Sequence, residues 1–292
     1  MTGGERLPEV SVVVASLNAA STLQRCIDSV ARQRGVEVEL LIVDGGSTDG
    51  TLQILESNGP SIAYWESEPD RGVYHAWNKA LERATGRWVC FLGADDELAE
   101  PGTLKTLIAL GERMDVELVC SRVRYRASEK AGSALVGQPW SWSKMTRFMC
   151  VAHPGLLHRR SLFDRYGKFS EQYRIAGDYE YLLRLGDGVT SAFLDRVSVN
   201  VGGVGLSSDT VATLKEVRLI QSLSPEIGRL RAGVNYWRSR AERILWTILD
   251  IVPIRRNALT RLVGHVFGML RHDFQQPEDN LVAQVKGDAK NI

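Results

Sequence analysis

Two neighbouring carboxylates, Asp95 and Asp96, directly follow the apolar run Trp88–Leu92. Adjacent negative charges at a strand end repel, which costs stability unless a positive partner sits there. A divalent cation that also holds phosphate oxygens is a natural partner: Mg²⁺ and Mn²⁺ take one or two carboxylates and complete their shell with substrate oxygens. Taken alone, the pair serves equally well as a solvated loop capping the next helix. Asp44 ends another apolar run and precedes Gly45-Gly46, glycines that permit a tight turn and close ligand approach. Its carboxylate can accept a base N–H or a ribose hydroxyl, or it can stabilise its own turn. Arg71, in Pro69-Asp70-Arg71-Gly72, suits a diphosphate or a surface pair with Asp70. Asp178 stands in Gly177-Asp178-Tyr179-Glu180, a plain helix N-cap pattern that does not prevent the side chain from facing a pocket. His153 precedes Pro154-Gly155 in a loop and reads as structural or catalytic. His158, five residues on, is poorly spaced to share a helical metal face with it.

The elements that must position these groups alternate two periods. Val10–Ala15 is a nearly continuous β-branched run, as in a strand buried on both faces. Ser21–Val30 follows with Leu23, Cys26, Ile27 and Val30 on one helical stripe. Glu39–Val43 is a second strand, Thr51–Glu56 a short helix preceded by Asp49 as its cap, and Ile62–Trp65 a short strand. Val73–Ala84 is amphipathic, with Val73, Ala76, Trp77, Ala80, Leu81 and Ala84 on one face. Trp88–Leu92 is a strand again. This alternation predicts an α/β fold with a mostly parallel sheet flanked by helices. Ligands of such sheets bind outside the carboxyl ends of the strands. Four polar clusters lie there: Ser16-Leu17-Asn18, Asp44–Ser47, Ser67–Gly72 and Gly93–Asp96. They predict one shared pocket.

Further on, short strands are expected at Leu118–Tyr125 and Ser191–Val201, and a helix start at Tyr179–Leu185. After about Ser208 the composition changes. Residues 229–273 hold nine arginines against three acids, together with Trp237, Ile244, Leu245, Trp246, Ile248, Leu249, Ile251 and Val252. Two arginine-rich amphipathic helices broken at Pro253, then a loose polar tail from about Gln275, are the expectation. The 292 residues carry 36 Lys+Arg and 35 Asp+Glu, a formal charge of +1, which gives no support to nucleic-acid binding. The 44% apolar and 24% charged content is that of a globular chain. Ile244–Ile254 is too short to span a bilayer, and the first ten residues lack the apolar core of a secretory signal. The four cysteines, Cys26, Cys90, Cys120 and Cys150, form no C-x-x-C pair and read as buried hydrophobes in a reducing cytosol.

VSVVVASLNAASTLQRCIDSV, LLIVDGGSTDGT and ATGRWVCFLGADDEL, in this order, resemble a family 2 glycosyltransferase of GT-A (Rossmann-like) fold. EPDRGVYHAWNKA and IAGDYEYLLR resemble the bacterial exopolysaccharide and surface-glycan subgroup. The likeness covers roughly residues 9–205. It implies a catalytic domain over 1–208, with a nucleotide-sugar half at about 9–100 and an acceptor half at about 101–208. Residues 209–292 would be the arginine-rich helical C-terminal region. The resemblance further implies a nucleotide-diphosphate-sugar donor, a divalent cation (Mn²⁺ or Mg²⁺) and an inverting transfer to a glycan or polyprenyl-linked acceptor. Ala15, Ser16 and Asn18 would line the nucleoside pocket. Leu17 stands where relatives often carry an aromatic that stacks on the base. Asp44 would contact base or ribose, and Arg71 the diphosphate. Gly93-Ala94-Asp95-Asp96 matches the family's D-x-D-D with Gly93 in place of the first acid, leaving Asp95 and Asp96 as donor and metal ligands. Asp178 matches the acid that serves as catalytic base. His153 and Gly202-Gly203-Val204-Gly205 look like acceptor-side elements.

The implied location is cytoplasmic, with peripheral attachment to the inner face of the cell membrane suggested by the basic, aromatic C-terminal helices, which suit an anionic surface. A packed helical pair or a homo-oligomer contact would use the same residues. Two other readings stay open: a sugar nucleotidyltransferase, and a catalytically degenerate GT-A binding module. A dinucleotide oxidoreductase lacks its G-x-G-x-x-G, and a serine hydrolase its G-x-S-x-G.

Overall fold

Val10–Val14 are buried without exception, as a strand covered on both faces requires. A computed structural model describes residues 7–125, 134–202 and 210–251. In it this run is β1 (Val10–Ser16), the centre of a parallel set. β2 (Val38–Asp44) pairs with one edge of β1 and β4 (Trp88–Gly93) with the other, while β3 (Tyr64–Ser67) pairs outside β2, all parallel. Alternate side chains feed two cores. Val13, Val89 and Phe91 meet α3 (Val73–Leu81) through Ala76, Trp77 and Ala80. Val12, Val14, Trp88, Cys90 and Leu92 meet α1 (Leu23–Ala31) and α4 (Thr103–Met114) on the other face. Gly111 of α4 lies flat on Trp88, since a Cβ there would stand 2.6 Å from the indole.

The sheet continues past β4 through a short antiparallel strand, β8 (Leu157–Arg159), to β6 (Leu118–Tyr125) and β9 (Ser191–Val201). β8 runs against both β4 and β6, so β6 and β4 run the same way. β9 is parallel to β6. Six strands therefore point in one direction and end along one edge. The two-residue β5 (Glu97–Leu98) and three-residue β7 (Ala134–Val136) are antiparallel additions. α2 (Thr51–Ser57), α5 (Trp142–Met145), α6 (Ser161–Tyr166) and α7 (Gly177–Leu185) complete the flanking layers. The chain thus forms the expected α/β sheet with helices on both faces.

Three details differ from the sequence expectation. β3 begins two residues late, because Gly59–Ser61 form a 3-10 turn and Ile62 drops into the core before the strand starts. α4 was not anticipated, although Leu104, Leu107, Ile108 and Gly111 share one buried face. At the C-terminus, α8 (Thr210–Leu223) precedes α9 (Gly228–Ile251), and Pro253 lies outside the described residues. The second arginine-rich helix and the tail from Gln275 lie outside the described residues, as do residues 203–205 of the glycine run. The chain divides into two compact units, Met1–Tyr236 and Trp237–Ile292. Among the described residues, no helix is long and apolar enough to cross a membrane.

Candidate active site

The strand register assembles the first part of the site. Ser16 lies beside Asp44, Asp44 beside Ser67, and Ala15 beside Gly93, at the carboxyl ends of β1 to β4. The neighbours of β1 diverge here, which makes the crest the topological switch of the sheet. Asp44 is fully buried. Its Oδ1 accepts the hydroxyls of Ser16 (2.9 Å) and Ser47 (2.5 Å). Its Oδ2 accepts Ser67 Oγ (2.7 Å) and the N–H groups of Ser47 (2.8 Å) and Gly46 (3.1 Å). Burial pushes this carboxyl up, but the donors from Ser47, Ser67 and Ser16 outweigh it and hold it below its usual range. Asp44 therefore ties the loops after β1, β2 and β3 together. A nucleoside reaching it would have to take the place of a serine donor.

Asn18 adopts a left-handed conformation (φ 49°) and stitches the loops after β1 and β2. Its N–H donates to Ser47 Oγ (2.7 Å), and its side-chain oxygen accepts Thr48 N–H (3.0 Å). Leu17 beside it is 60% exposed. Asp49 accepts Thr51 N–H (3.1 Å) and Ala20 N–H (3.0 Å), so it supports the first turn of α2 and binds it to the β1 loop. Arg71 meets Glu171 through Nε (3.0 Å) and Nη2 (2.6 Å) and stays largely exposed. Such exposed pairs exchange partners at little cost, so a diphosphate could recruit it.

Beyond β4, Asp96 is buried while its Oδ2 accepts Gly93 N–H (2.8 Å) and its Oδ1 accepts Gly202 N–H (3.1 Å) from the end of β9. Burial pushes its carboxyl up to about 6 against those two donors, and the charge of Asp95 adds to the rise. Gly202 packs so close to Asp95 that a Cβ there would overlap its carbonyl and carboxylate oxygens. A side chain at Gly93 would stand 2.9 Å from Asp95 Oδ1. The lack of a Cβ at Gly93 thus leaves room for the Asp95 carboxylate.

Asp178 is not the cap of α7: Ala176 occupies that position, and Asp178 lies two residues into the helix start. Its Oδ1 accepts Tyr179 N–H (2.8 Å) and lies 3.2 Å from the Tyr74 hydroxyl. Burial pushes this carboxyl up to about 6, against the donors Tyr179 and Tyr74; the charge of Glu216 adds to the rise. Tyr125 is the last residue of β6. Its phenol is raised by burial and then by the charges of Asp96 and Asp178 together. Sequence reading missed Tyr125; its position as the last residue of an expected strand was the available signal.

His153 corrects an expectation. It is buried, stacked on Trp77 (5.2 Å between ring centres) and Phe91 (5.5 Å), and burial pushes it down to about 3. It belongs to the aromatic core under α3 rather than to an acceptor-facing loop. The residues after its Pro-Gly turn lead straight into β8, which draws the ring inward.

The donor set fits a divalent cation. Asp95 and Asp96 are hard oxygen ligands, and the carboxyl of Asp96 is raised first by burial and further by the charge of Asp95, as a carboxylate beside another does. Among the described residues, no group of three or more His, Cys, Asp or Glu converges as a closed metal site. An ion here would complete its shell with substrate oxygens.

The sequence model of "Glycosyl transferase family 2" matches residues 11–167. The chain belongs to this family. A "PGL/p-HBAD biosynthesis glycosyltransferase" of Mycobacterium bovis is 35% identical over 181 residues, which cover 61% of this chain and 69% of that protein. Among solved structures, S. aureus TarS 1-349 in complex with UDP-GlcNAc superposes with a TM-score of 0.61 at 19% identity, covering 78% of this chain and 70% of that one. The mannosyltransferase PcManGT from Pyrobaculum calidifontis, in complex with GDP-Man and Mn2+, superposes with a TM-score of 0.59 at 19% identity, covering 90% and 81%. These likenesses establish the GT-A-type fold; family membership establishes a glycosyltransferase.

Proposed function

We propose that this glycosyltransferase moves a sugar, with inversion, from a nucleotide-diphosphate-sugar to a hydroxyl of a glycan or lipid-linked acceptor in the assembly of a bacterial surface polysaccharide. One observation carries the reading: in a chain of this family, the strand register brings Asp44 and the loop of Asp95 and Asp96 to the same carboxyl edge of the sheet, where Gly202 N–H from the end of β9 bonds Asp96. Asp178 is the base. It takes the acceptor hydroxyl's proton as that oxygen attacks the anomeric carbon. The carbon's bond to the diphosphate breaks, and the electron pair leaves with the nucleotide. Ala15, Ser16 and Asn18 line the nucleoside pocket, with Asp44 meeting the base or ribose and Arg71 the diphosphate. Asp95 and Asp96 would hold Mn²⁺ or Mg²⁺, which would neutralise charge developing on the diphosphate. His153 has no part in this scheme.

The decisive experiment screens UDP-GlcNAc, GDP-mannose and other nucleotide sugars for nucleotide release with Mn²⁺ present. Release of a nucleoside diphosphate, lost on adding chelator, supports the reading. Binding without turnover would favour a degenerate module. Formation of nucleotide sugar from a triphosphate would favour a nucleotidyltransferase.

The proposed place is the cytoplasmic face of the cell membrane. The nine arginines of residues 229–273 support it. So do the exposed Leu230 and Val234 in the first unit, and Trp237 and Ile244 in the second. Basic helices with exposed apolar residues bind anionic interfaces. Full-length protein should float with anionic vesicles and not with neutral ones. Equal flotation with both would remove the membrane from the proposal.

A further inference from the structure

α8 lies beyond the residues matched by the family, and it contains one acid, Glu216. That carboxylate accepts three consecutive backbone N–H groups: Arg174 at 2.8 Å, Ile175 at 2.7 Å and Ala176 at 2.6 Å. These residues lead directly into α7, whose N-cap residue Ala176 offers no side-chain cap. An amino end left without acceptors is costly when buried, and Ala176 is buried. For the Ala176 N–H the acceptor therefore comes from a different element, Glu216 of α8. A carboxylate at this place also meets the positive end of the helix dipole.

The same junction is held from the opposite side. The hydroxyl of Tyr74, on α3, donates to the Ile175 carbonyl (2.7 Å) and lies against Asp178. Gly177 is small because a Cβ there would stand 2.7 Å from the Tyr74 ring. A second tie from α8 lies further along: Gln221 Nε2 donates to the Tyr179 hydroxyl (2.8 Å), which itself donates to the Met145 carbonyl (2.7 Å). Asn235 of α9 in turn donates to Gln221 Oε1 (3.1 Å). All of these residues belong to the first unit.

We propose that Glu216 is a positioning residue for Asp178: it clamps the 174–176 backbone and so fixes where α7 presents its acid. The inference rests on reading Asp178 as the base. It makes α8 part of the catalytic machinery rather than an appendage to it. Around Asp178, the Tyr74 hydroxyl of α3 lies at 3.2 Å and the charge of Glu216 on α8 adds to the rise of its carboxyl. The charge of Glu216 opposes ionisation of Asp178.

The test uses the full chain with Glu216→Ala, Glu216→Gln and Glu216→Asp. Three measurements are made: amide hydrogen exchange at residues 174–176, a carbon-13 carboxyl titration of Asp178, and kcat and KM with UDP-GlcNAc and GDP-mannose. Loss of the clamp should speed exchange at Ile175 and Ala176 by about tenfold or more. It should lower kcat by about tenfold or more, with donor KM within about twofold. Glu216→Gln should move the Asp178 midpoint to lower pH, and Glu216→Asp should restore part of the exchange protection. Unchanged exchange and an unchanged Asp178 midpoint would overturn the inference, and these two arms need no donor. Faster exchange with an unaltered midpoint and kcat would also overturn it, leaving a purely structural clamp. If Glu216→Ala does not fold, the near-isosteric Gln and Asp variants decide. Asp178→Asn is run alongside. Normal turnover in that variant sinks the base reading itself, whereas the Glu216 outcomes speak only to the clamp.

Discussion

Asp178→Asn separates a base from a structural acid because the two roles move activity and stability in opposite directions. The carboxyl sits at about 6 against an ordinary value of 3.8. A rise of roughly two pKa units means that the ionised form costs the folded state about 3 kcal/mol, an upper figure given that the side chain is only partly buried. The sign follows. This group favours folding fully below pH 3.8, and that contribution is lost as pH rises through 6. Asn is neutral at every pH and can still accept Tyr179 N–H. At pH 8 the variant should therefore be more stable than the wild type, by no more than about 3 kcal/mol. The difference should vanish near pH 4. Turnover should fall by about 10²–10⁴-fold, because no proton acceptor remains. In the wild type, about nine-tenths of the carboxyl is ionised at pH 7 and about one-tenth at pH 5, so kcat should drop close to tenfold per pH unit below 6. Urea unfolding from pH 4 to 8 and nucleotide release over the same range read both effects. Near wild-type turnover in the variant would refute the assignment, as would a wild-type acid limb that does not follow an apparent pKa close to 6.

Asp96→Ala should abolish most of the gain in UDP or GDP affinity that Mn²⁺ gives over chelator, measured by calorimetry; equal affinity with and without metal in the wild type would rule out the Asp95–Asp96 site. Gly202→Ala places a methyl against Asp95, so it should cost about 1–3 kcal/mol of stability and weaken Mn²⁺-dependent nucleotide binding; a melting temperature and affinity like the wild type's would show that the β9 end does not shape the acid pair. His153 is neutral when folded, with its pKa pushed down to about 3 from 6.5. Its contribution is complete above pH 6.5 and is lost as pH falls toward 3, by about 3 kcal/mol at pH 4.5. His153→Phe keeps an aromatic ring and should flatten that loss in pH-dependent urea unfolding, while a stability difference that does not change with pH would contradict the burial argument.

Strand ends are the part of this molecule that a linear reading finds most readily. Val10–Ala15, Glu39–Val43 and Trp88–Leu92 announce themselves as continuous apolar runs, and the polar residue after each run must lie at the edge where the parallel strands finish. Asp44 and Asp96 were legible for that reason. Leu118–Tyr125 and Ser191–Val201 were legible as strands, but the sequence does not say that they lie side by side or that Gly202 closes over Asp96. β8 left no local pattern: three residues cannot display a period, and their pairing is decided by β4 and β6 on either side. α4 did have a pattern, in Leu104, Leu107, Ile108 and Gly111, and could have been read.

Chemistry divides in the same way. A carboxylate's position along the chain shows that it can bind or accept a proton, but its affinity for that proton is set by what surrounds it. Asp44 and Asp178 look alike in sequence, each beside glycine at the border of an element. The fold gives Asp44 five donors and holds its pKa low. It gives Asp178 burial, two donors and the charge of Glu216, and holds its pKa high. The first arrangement suits a fixed acceptor and the second a proton carrier. Some of these donors are local, Gly46 and Ser47 for Asp44 and Tyr179 for Asp178, but the rest come from other loops and helices: Ser16 and Ser67 for one, Tyr74 and Glu216 for the other. Glu216 has no signature of its own, because a glutamate on an amphipathic helix is an ordinary surface residue until α8 is laid against the amino end of α7.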